Sequence, residues 1–137
     1  MPISWEIFDI GPVLRVILTD VPHIDDIRAF LDDLSLKMGD RPMLPMFYDL
    51  TEMDVRGLGD EFIRAAIVLD RSYRNVKRGR QAYVTADPDT ARFIDRYMEL
   101  IGKYRFAPVA RHFRGAQGAR ALDWLTCEEV DLPGRLI

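Results

Sequence analysis

Apolar positions along this chain switch repeatedly between a period of two and a spacing of three to four, and each switch marks an element. Ile3, Trp5 and Ile7 alternate with Ser4, Glu6 and Phe8. After Gly11-Pro12, the run Val13 to Leu18 is apolar except for Arg15, which predicts two strands around a tight turn, an antiparallel hairpin. Asp20, Pro22 and the pair Asp25-Asp26 announce a helix. Ile24, Ile27, Leu31, Leu34 and Met38 then stripe one face of it before Gly39 closes it. From Met43 to Leu50 the chain is nearly all apolar, broken by Pro45 and by Asp49 near its end, and predicts an interior strand covered on both faces.

The same alternation continues to the end. A helix is predicted from Gly59 to Val76, stopped by Gly79, and Gln81 to Thr85 reads as a short interior strand. Asp87-Pro88 places a proline at the first helical position behind a capping carboxylate, and Phe93, Ile94, Tyr97, Met98, Ile101 and Tyr104 stripe the helix that follows. Val109 to Phe113 predicts one more strand, and Gly115 leads into a helix carrying Ala119, Leu122 and Leu125. The fold class is α/β: an N-terminal β-hairpin, then alternating helices and strands. Together they form a mixed, mainly parallel sheet of about five strands with about four helices, because helices between strands imply right-handed parallel crossovers. Residues 1–126 form one domain, and the tail from Cys127 to Ile137, with Pro133-Gly134 in it, falls outside the plan.

In such sheets ligands sit beyond the carboxyl ends of the strands. Asp49, Thr51, Glu52 and Asp54 crowd one such end, followed by Arg56 and by Gly57 and Gly59 around Leu58. This turn is the candidate site. Its carboxylates could face a hard cation, but their spacing matches no known loop, so no metal is expected. The glycines could bring backbone N–H groups to an anion at a helix start, against which the neighbouring carboxylates argue.

Composition narrows the function classes. The chain has 137 residues, a single-domain length, with a net charge of −3, 48% hydrophobic and 30% charged residues. No run approaches the roughly 18 apolar residues of a membrane span, and the start lacks a signal-peptide layout, so a cytoplasmic protein that is not integral to a membrane is expected. Residues 1–60 hold 5 Lys/Arg against 12 Asp/Glu and residues 61–137 hold 14 against 10, an asymmetry that a compact fold averages out. Without a basic stripe interleaved with aromatics, nucleic acid is not an expected partner.

Arg71, Arg74, Lys77 and Arg78, near Arg80, form the densest basic cluster. At a helix C-terminus the macrodipole already favours cations, and the functional alternative is contact with an acidic protein surface or lipid head groups. Cys127 is the only cysteine, which excludes an internal disulfide and a multi-thiolate zinc site. His23 and His112 show no acid-base companion in sequence, and Ser35, Thr51 and Ser72 lack the context of an activated nucleophile. No enzyme and no cofactor is expected.

The element order, the strand end YDLTEM, the following DVRGLG and the ending VARHFRGAQGARALDWL together resemble the SpoIIAA-like branch of STAS domains, over roughly Ile3 to Leu125. In the anti-sigma factor antagonists of that family, an Asp-Ser-Ser-Gly-Leu-Gly segment carries a serine phosphorylated by a partner kinase. Here Asp54-Val55-Arg56-Gly57-Leu58-Gly59 looks like that segment, with Val55 and Arg56 at both serine positions, so the phospho-switch is lost. The resemblance is closer to the stand-alone members compared with lipid-binding Sec14-type domains. It implies the fold and an interaction or small-ligand role.

Two functional expectations follow. The first is a non-enzymatic regulatory or interaction module that docks a protein or small ligand around Asp49–Gly59, through Asp49, Thr51, Asp54, Arg56, Gly57 and Gly59. The alternative is a carrier of a lipid-like or other apolar molecule between the sheet and helices, lined by Phe62, Ile63, Phe93, Tyr97 and Met98. A homodimer and a peripheral lipid contact are the remaining partner expectations, since the first hairpin leaves an edge strand.

Overall fold

The computed structural model describes residues 3–8, 12–38, 44–73, 79–105 and 107–127, and its elements follow the expected order. Strands β1 (Ile3–Phe8) and β2 (Val13–Asp20) form the hairpin. Helices α1 (Ile24–Met38), α2 (Asp60–Ser72) and α3 (Pro88–Ile101) alternate with β3 (Met46–Met53), β4 (Gln81–Thr85) and β5 (Ala110–Arg114). A 3₁₀ turn (Gly115–Arg120) leads into α4 (Ala121–Thr126). The sheet is ordered β1-β2-β3-β4-β5, with β1 antiparallel to β2 and every other pair parallel.

That order dictates the layers. When consecutive parallel strands advance in one direction across a sheet, right-handed crossovers place every connecting helix on the same face. Helices α1, α2 and α3 accordingly share one core with Leu14, Val16, Met46, Tyr48, Leu50 and Tyr83. The opposite face is left to α4, whose Ala121 and Leu125 pack with Val13, Ala82, Val84 and Phe113.

Several boundaries differ from the sequence expectation, among them the start of β3 at Met46, after Leu44 and Pro45, and the end of α3 at Ile101, before Tyr104. The strand expected to stop at Leu50 runs on to Met53, because Glu52 and Met53 pair with Thr19 and Asp20 of β2 after a register shift, and the Asp54 N–H then donates to the Asp20 carbonyl at 2.8 Å. This strand is also not covered on both faces throughout. Tyr48 and Leu50 are buried beneath the helices, whereas Phe47 and Asp49 on the other face are half-buried and Thr51 is exposed. Helix α2 ends at Ser72, with the Tyr73 N–H bonded to the Leu69 and Asp70 carbonyls, and β5 begins at Ala110 rather than Val109. The expected helix end at Val76, the stop at Gly39 and the tail beyond Cys127 lie outside the described residues.

Local chemistry explains several joints. Asp87 caps α3 by accepting from the N–H groups of Asp89 and Thr90 at 3.0 and 3.1 Å, with Pro88 behind it. The Thr90 hydroxyl donates to the Met53 carbonyl at 3.2 Å, tying the start of α3 to the end of β3. The indole N–H of Trp5 donates to Asp33 at 2.8 Å, so this half-buried ring fastens β1 to α1 as well as packing on the core.

Candidate functional site

The strand-to-helix turn comes first. Asp49 points away from the helices, and its carboxylate accepts from the Thr51 N–H at 3.1 Å, the Thr51 hydroxyl at 2.7 Å and Arg15 at 3.1 Å. Arg15 also reaches Glu6 at 3.4 Å, so three strands are laced by one guanidinium on the open side of the sheet. Burial pushes the Asp49 carboxyl up, but the bonds from Thr51 and Arg15 outweigh it and hold it below the usual carboxylate range.

Asp54 begins a separate turn. It accepts from the Arg56 N–H at 2.9 Å and from the Arg56 guanidinium at 2.6 and 2.7 Å, which holds its carboxyl low. Gly57 has φ +78°, a conformation that other residues reach only with strain, and Gly59 precedes α2 without a side-chain cap. The six candidate residues therefore fall into two groups. Thr51, Asp54 and Arg56 line one open concavity of about 550 Å³ together with Glu52, Asp87 and Asp89, and Asp49, Gly57 and Gly59 stand outside its wall.

A second site lies on the helical side. Between the sheet and α1–α3 is a cavity of about 90 Å³ that opens to solvent. Of the residues expected to hold an apolar molecule, Phe62, Ile63, Phe93 and Tyr97 line it, while Met98 packs on the same core without lining the cavity. Phe30 and Tyr48 add two more rings, and the Phe62 and Phe93 rings meet at 6.2 Å. The lining includes one charged residue, Asp70, only 7% exposed, whose carboxylate accepts from the Tyr97 hydroxyl at 2.6 Å. Burial, with the Tyr83 and Asp70 charges added, pushes the Tyr97 hydroxyl well above its ordinary range. Behind it, Tyr83 stacks on Tyr48 at 5.1 Å and meets Tyr97 edge-on at 5.9 Å.

Asp70 was not singled out from the sequence. Its signal was present, since it continues the buried stripe of Ile63, Ala66 and Ile67 as its only charged member.

His112 does have companions. Its side chain, 5% exposed, sits with Nε2 2.7 Å from the Thr85 hydroxyl and Nδ1 2.9 Å from Asp95, which also pairs with Arg114 at 2.5 Å. Asp95 feels burial pushing its carboxyl up and the His112 and Arg114 bonds pulling it further down, so it lies below the usual range. In outline this is a hydroxyl, a base and an orienting carboxylate. Thr85, however, is 1% exposed, and the chain of bonds ties β4, β5 and α3 together.

Among the basic candidates, Arg71 is exposed in the last turn of α2, and Arg74, Lys77 and Arg78 lie outside the described residues. Arg80 is half-buried. It donates to the carbonyls of Trp124 and Cys127 at 2.8 and 3.1 Å and stacks on the Trp124 ring, stapling the end of α4. Among the described residues no group of three or more His, Cys, Asp or Glu could hold a metal ion, and no helix is long and apolar enough to cross a membrane.

No protein-family profile matches the chain, and no curated protein matches it. A solved structure does: an uncharacterized protein of the DUF3478 family with a SpoIIAA-like fold from Shewanella loihica PV-4. It superposes with a TM-score of 0.59 over 90% of this chain and 91% of its own length, at 15% sequence identity. The fold is SpoIIAA-like.

Proposed function

We propose that this chain is a non-enzymatic binding module that takes up a small, mainly apolar molecule in the cavity between the sheet and helices α1–α3. One observation carries the reading: aromatic and aliphatic side chains from six elements surround a space that opens to solvent and has one buried carboxylate in its wall. Protein interiors ordinarily fill such voids, and an apolar concavity with one or two placed polar groups is the common form of a small-ligand site. Its size narrows the ligand. A dry apolar cavity of about 150 Å³ accommodates benzene, so 90 Å³ suits a compact branched group and not a folded acyl chain.

The test is occupancy with and without the space. Native mass spectrometry and solvent extraction of the purified protein, followed by titration with neohexyl alcohol, are expected to show uptake of a compact apolar molecule. Ala66→Phe, which fills the cavity from α2, is expected to lose it while remaining folded by circular dichroism. Equal binding by both proteins, or binding by neither, overturns the reading.

The turn supports a second reading, a docking surface for a protein partner. The observation behind it is the shared concavity of Thr51, Glu52, Asp54 and Arg56 with Asp87 and Asp89 from the start of α3, a predominantly acidic face. With Val55 and Arg56 where the related antagonists carry serines, such docking reads fixed charge and shape. A pull-down that keeps the same partners after Asp54→Lys and Arg56→Glu would count against it.

A further inference from the structure

The two edges of the sheet are built differently, and one of them fits a second copy of itself. Among the described residues β1 pairs only with β2 and β5 only with β4, so each strand leaves one side unpaired. Edges of this kind are commonly protected from association by exposed charge. The β5 edge carries Arg111 and Arg114, both exposed. The β1 edge has one charged residue, Glu6, which Arg15 holds at 3.4 Å, and beside it Ile7 is 40% exposed. We infer that β1 is a dimerisation edge, pairing antiparallel with β1 of a second copy about a two-fold axis at Trp5.

Two layers of the molecule agree on that axis. In antiparallel pairing, opposed residues share a face of the sheet, and like charges set opposite each other are destabilising. A register centred on Glu6 would oppose two carboxylates. Centred on Trp5, it sets Glu6 against Ser4 of the partner subunit and Ile7 against Ile3 of the partner subunit, with no like charges in contact. The layer above is α1, which Trp5 reaches at two points: its indole N–H donates to Asp33 at 2.8 Å, and Lys37 lies over its ring at 5.6 Å. The axis at Trp5 therefore passes between Asp33 and Lys37. These two stand one turn apart, with 42% and 61% of their side chains exposed. A two-fold between them brings Asp33 of each copy to Lys37 of the partner subunit, so the charges complement each other twice. Leu36, 83% exposed, follows Asp33 by three positions and is its neighbour on the helix surface, which adds an apolar contact to the same layer. An unrelated extended peptide could pair with the strand edge alone. A second copy meets the strand and the helix together, and the two-fold closes the assembly at two subunits.

The test is the oligomeric state of the full chain, measured by sedimentation velocity from about 1 to 200 μM, where a monomer–dimer equilibrium is expected. Ile7→Lys places a charge on the exposed edge and is expected to leave a monomer throughout, folded by circular dichroism. Lys37→Glu sets like charges against each other twice across the axis and is expected to weaken the dimer about tenfold. Exchanging the pair, Asp33→Lys with Lys37→Asp, restores opposite charges across the axis and is expected to recover most of that loss. Recovery cannot come from a firmer monomer, because the exchange also gives up the bond from Trp5 to Asp33. A monomer at every concentration, or a dimer that survives Ile7→Lys, overturns the dimerisation edge. Assemblies that keep growing with concentration, as pairing of β1 with β5 of the next copy would build, overturn it as well. An exchanged protein no better than Lys37→Glu overturns the two-fold at Trp5.

Discussion

The turn after β3 and the cavity beneath α2 are built by neighbouring stretches of chain, yet they are held in opposite ways. Asp54 and Arg56 are bound to each other at the surface, Arg56 with 87% of its side chain exposed, and the turn they shape depends on one glycine at φ +78°. The cavity is held by side chains such as Ile63 and Ile94, which are 1% and 5% exposed. A surface pair is screened by water and contributes little to stability, whereas a buried side chain is felt through every neighbour it touches. The turn can therefore change its chemistry at little structural cost. The cavity cannot.

The largest expected effect lies in the cavity wall. Ile63→Ala removes a fully buried branched side chain and should cost about 2–5 kcal/mol in urea-denaturation free energy. The same substitution should widen the cavity and admit molecules bulkier than neohexyl alcohol. A loss well below 1 kcal/mol would mean that α2 is loosely packed and would remove the contrast with the turn.

Much of this was legible in the sequence, and the parts that were not share a cause. The alternation of elements, the Asp87-Pro88 helix start and the stripe of Phe62, Ile63, Phe93 and Tyr97 are local patterns, and each is where its spacing put it. The extension of β3 to Met53 was hidden because Thr51 and Glu52 look like turn residues. Pairing with β2, beyond a register shift, makes them strand. His112 looked isolated because its partners Asp95 and Thr85 are 17 and 27 positions away, joined only when α3, β4 and β5 meet. Asp70 was a visible flaw in an apolar stripe, but its meaning required Tyr97, again 27 positions on. For the turn, the sequence located the residues and missed that Asp49 faces the open side of the sheet, away from the cavity.

Next in size is the backbone of the turn. A Cβ built on Gly57 meets nothing within 4 Å, so Gly57→Ala should cost only the left-handed conformation, about 1–2 kcal/mol, with ligand uptake by the cavity unchanged. Steric disruption is excluded by the empty surroundings. A larger loss, or a lost ligand, would show that the turn and the cavity are coupled.

Acid should act on both regions through carboxylates that are not part of the cavity. Asp49 and Asp95 have folded-state values below the ordinary 3.8, so the unfolded chain takes up their protons first. Their contribution is complete above that pH and is lost as pH falls through the lowered values. The urea midpoint is expected to hold from pH 7 to 5 and to drop below pH 4, with a shallower drop in Asp95→Asn. A midpoint that declines already between pH 7 and 5 would point to a different titrating group, and an unchanged slope in Asp95→Asn would remove the His112–Asp95–Arg114 joint from the account.

The smallest expected effect tests the turn most directly. Arg56→Ala removes an exposed guanidinium paired with Asp54 at the surface, so the melting temperature should not move measurably. Asp54 then loses the bonds that hold its carboxyl low, and the concavity it shares with Glu52, Asp87 and Asp89 becomes more negative. A cationic partner surface should bind this variant more tightly and an anionic one less, while ligand uptake by the cavity, whose lining does not include Arg56, stays the same. A fall in thermal stability on Arg56→Ala would show that the turn, like the cavity, is held from inside, and the contrast between the two regions would have to be given up.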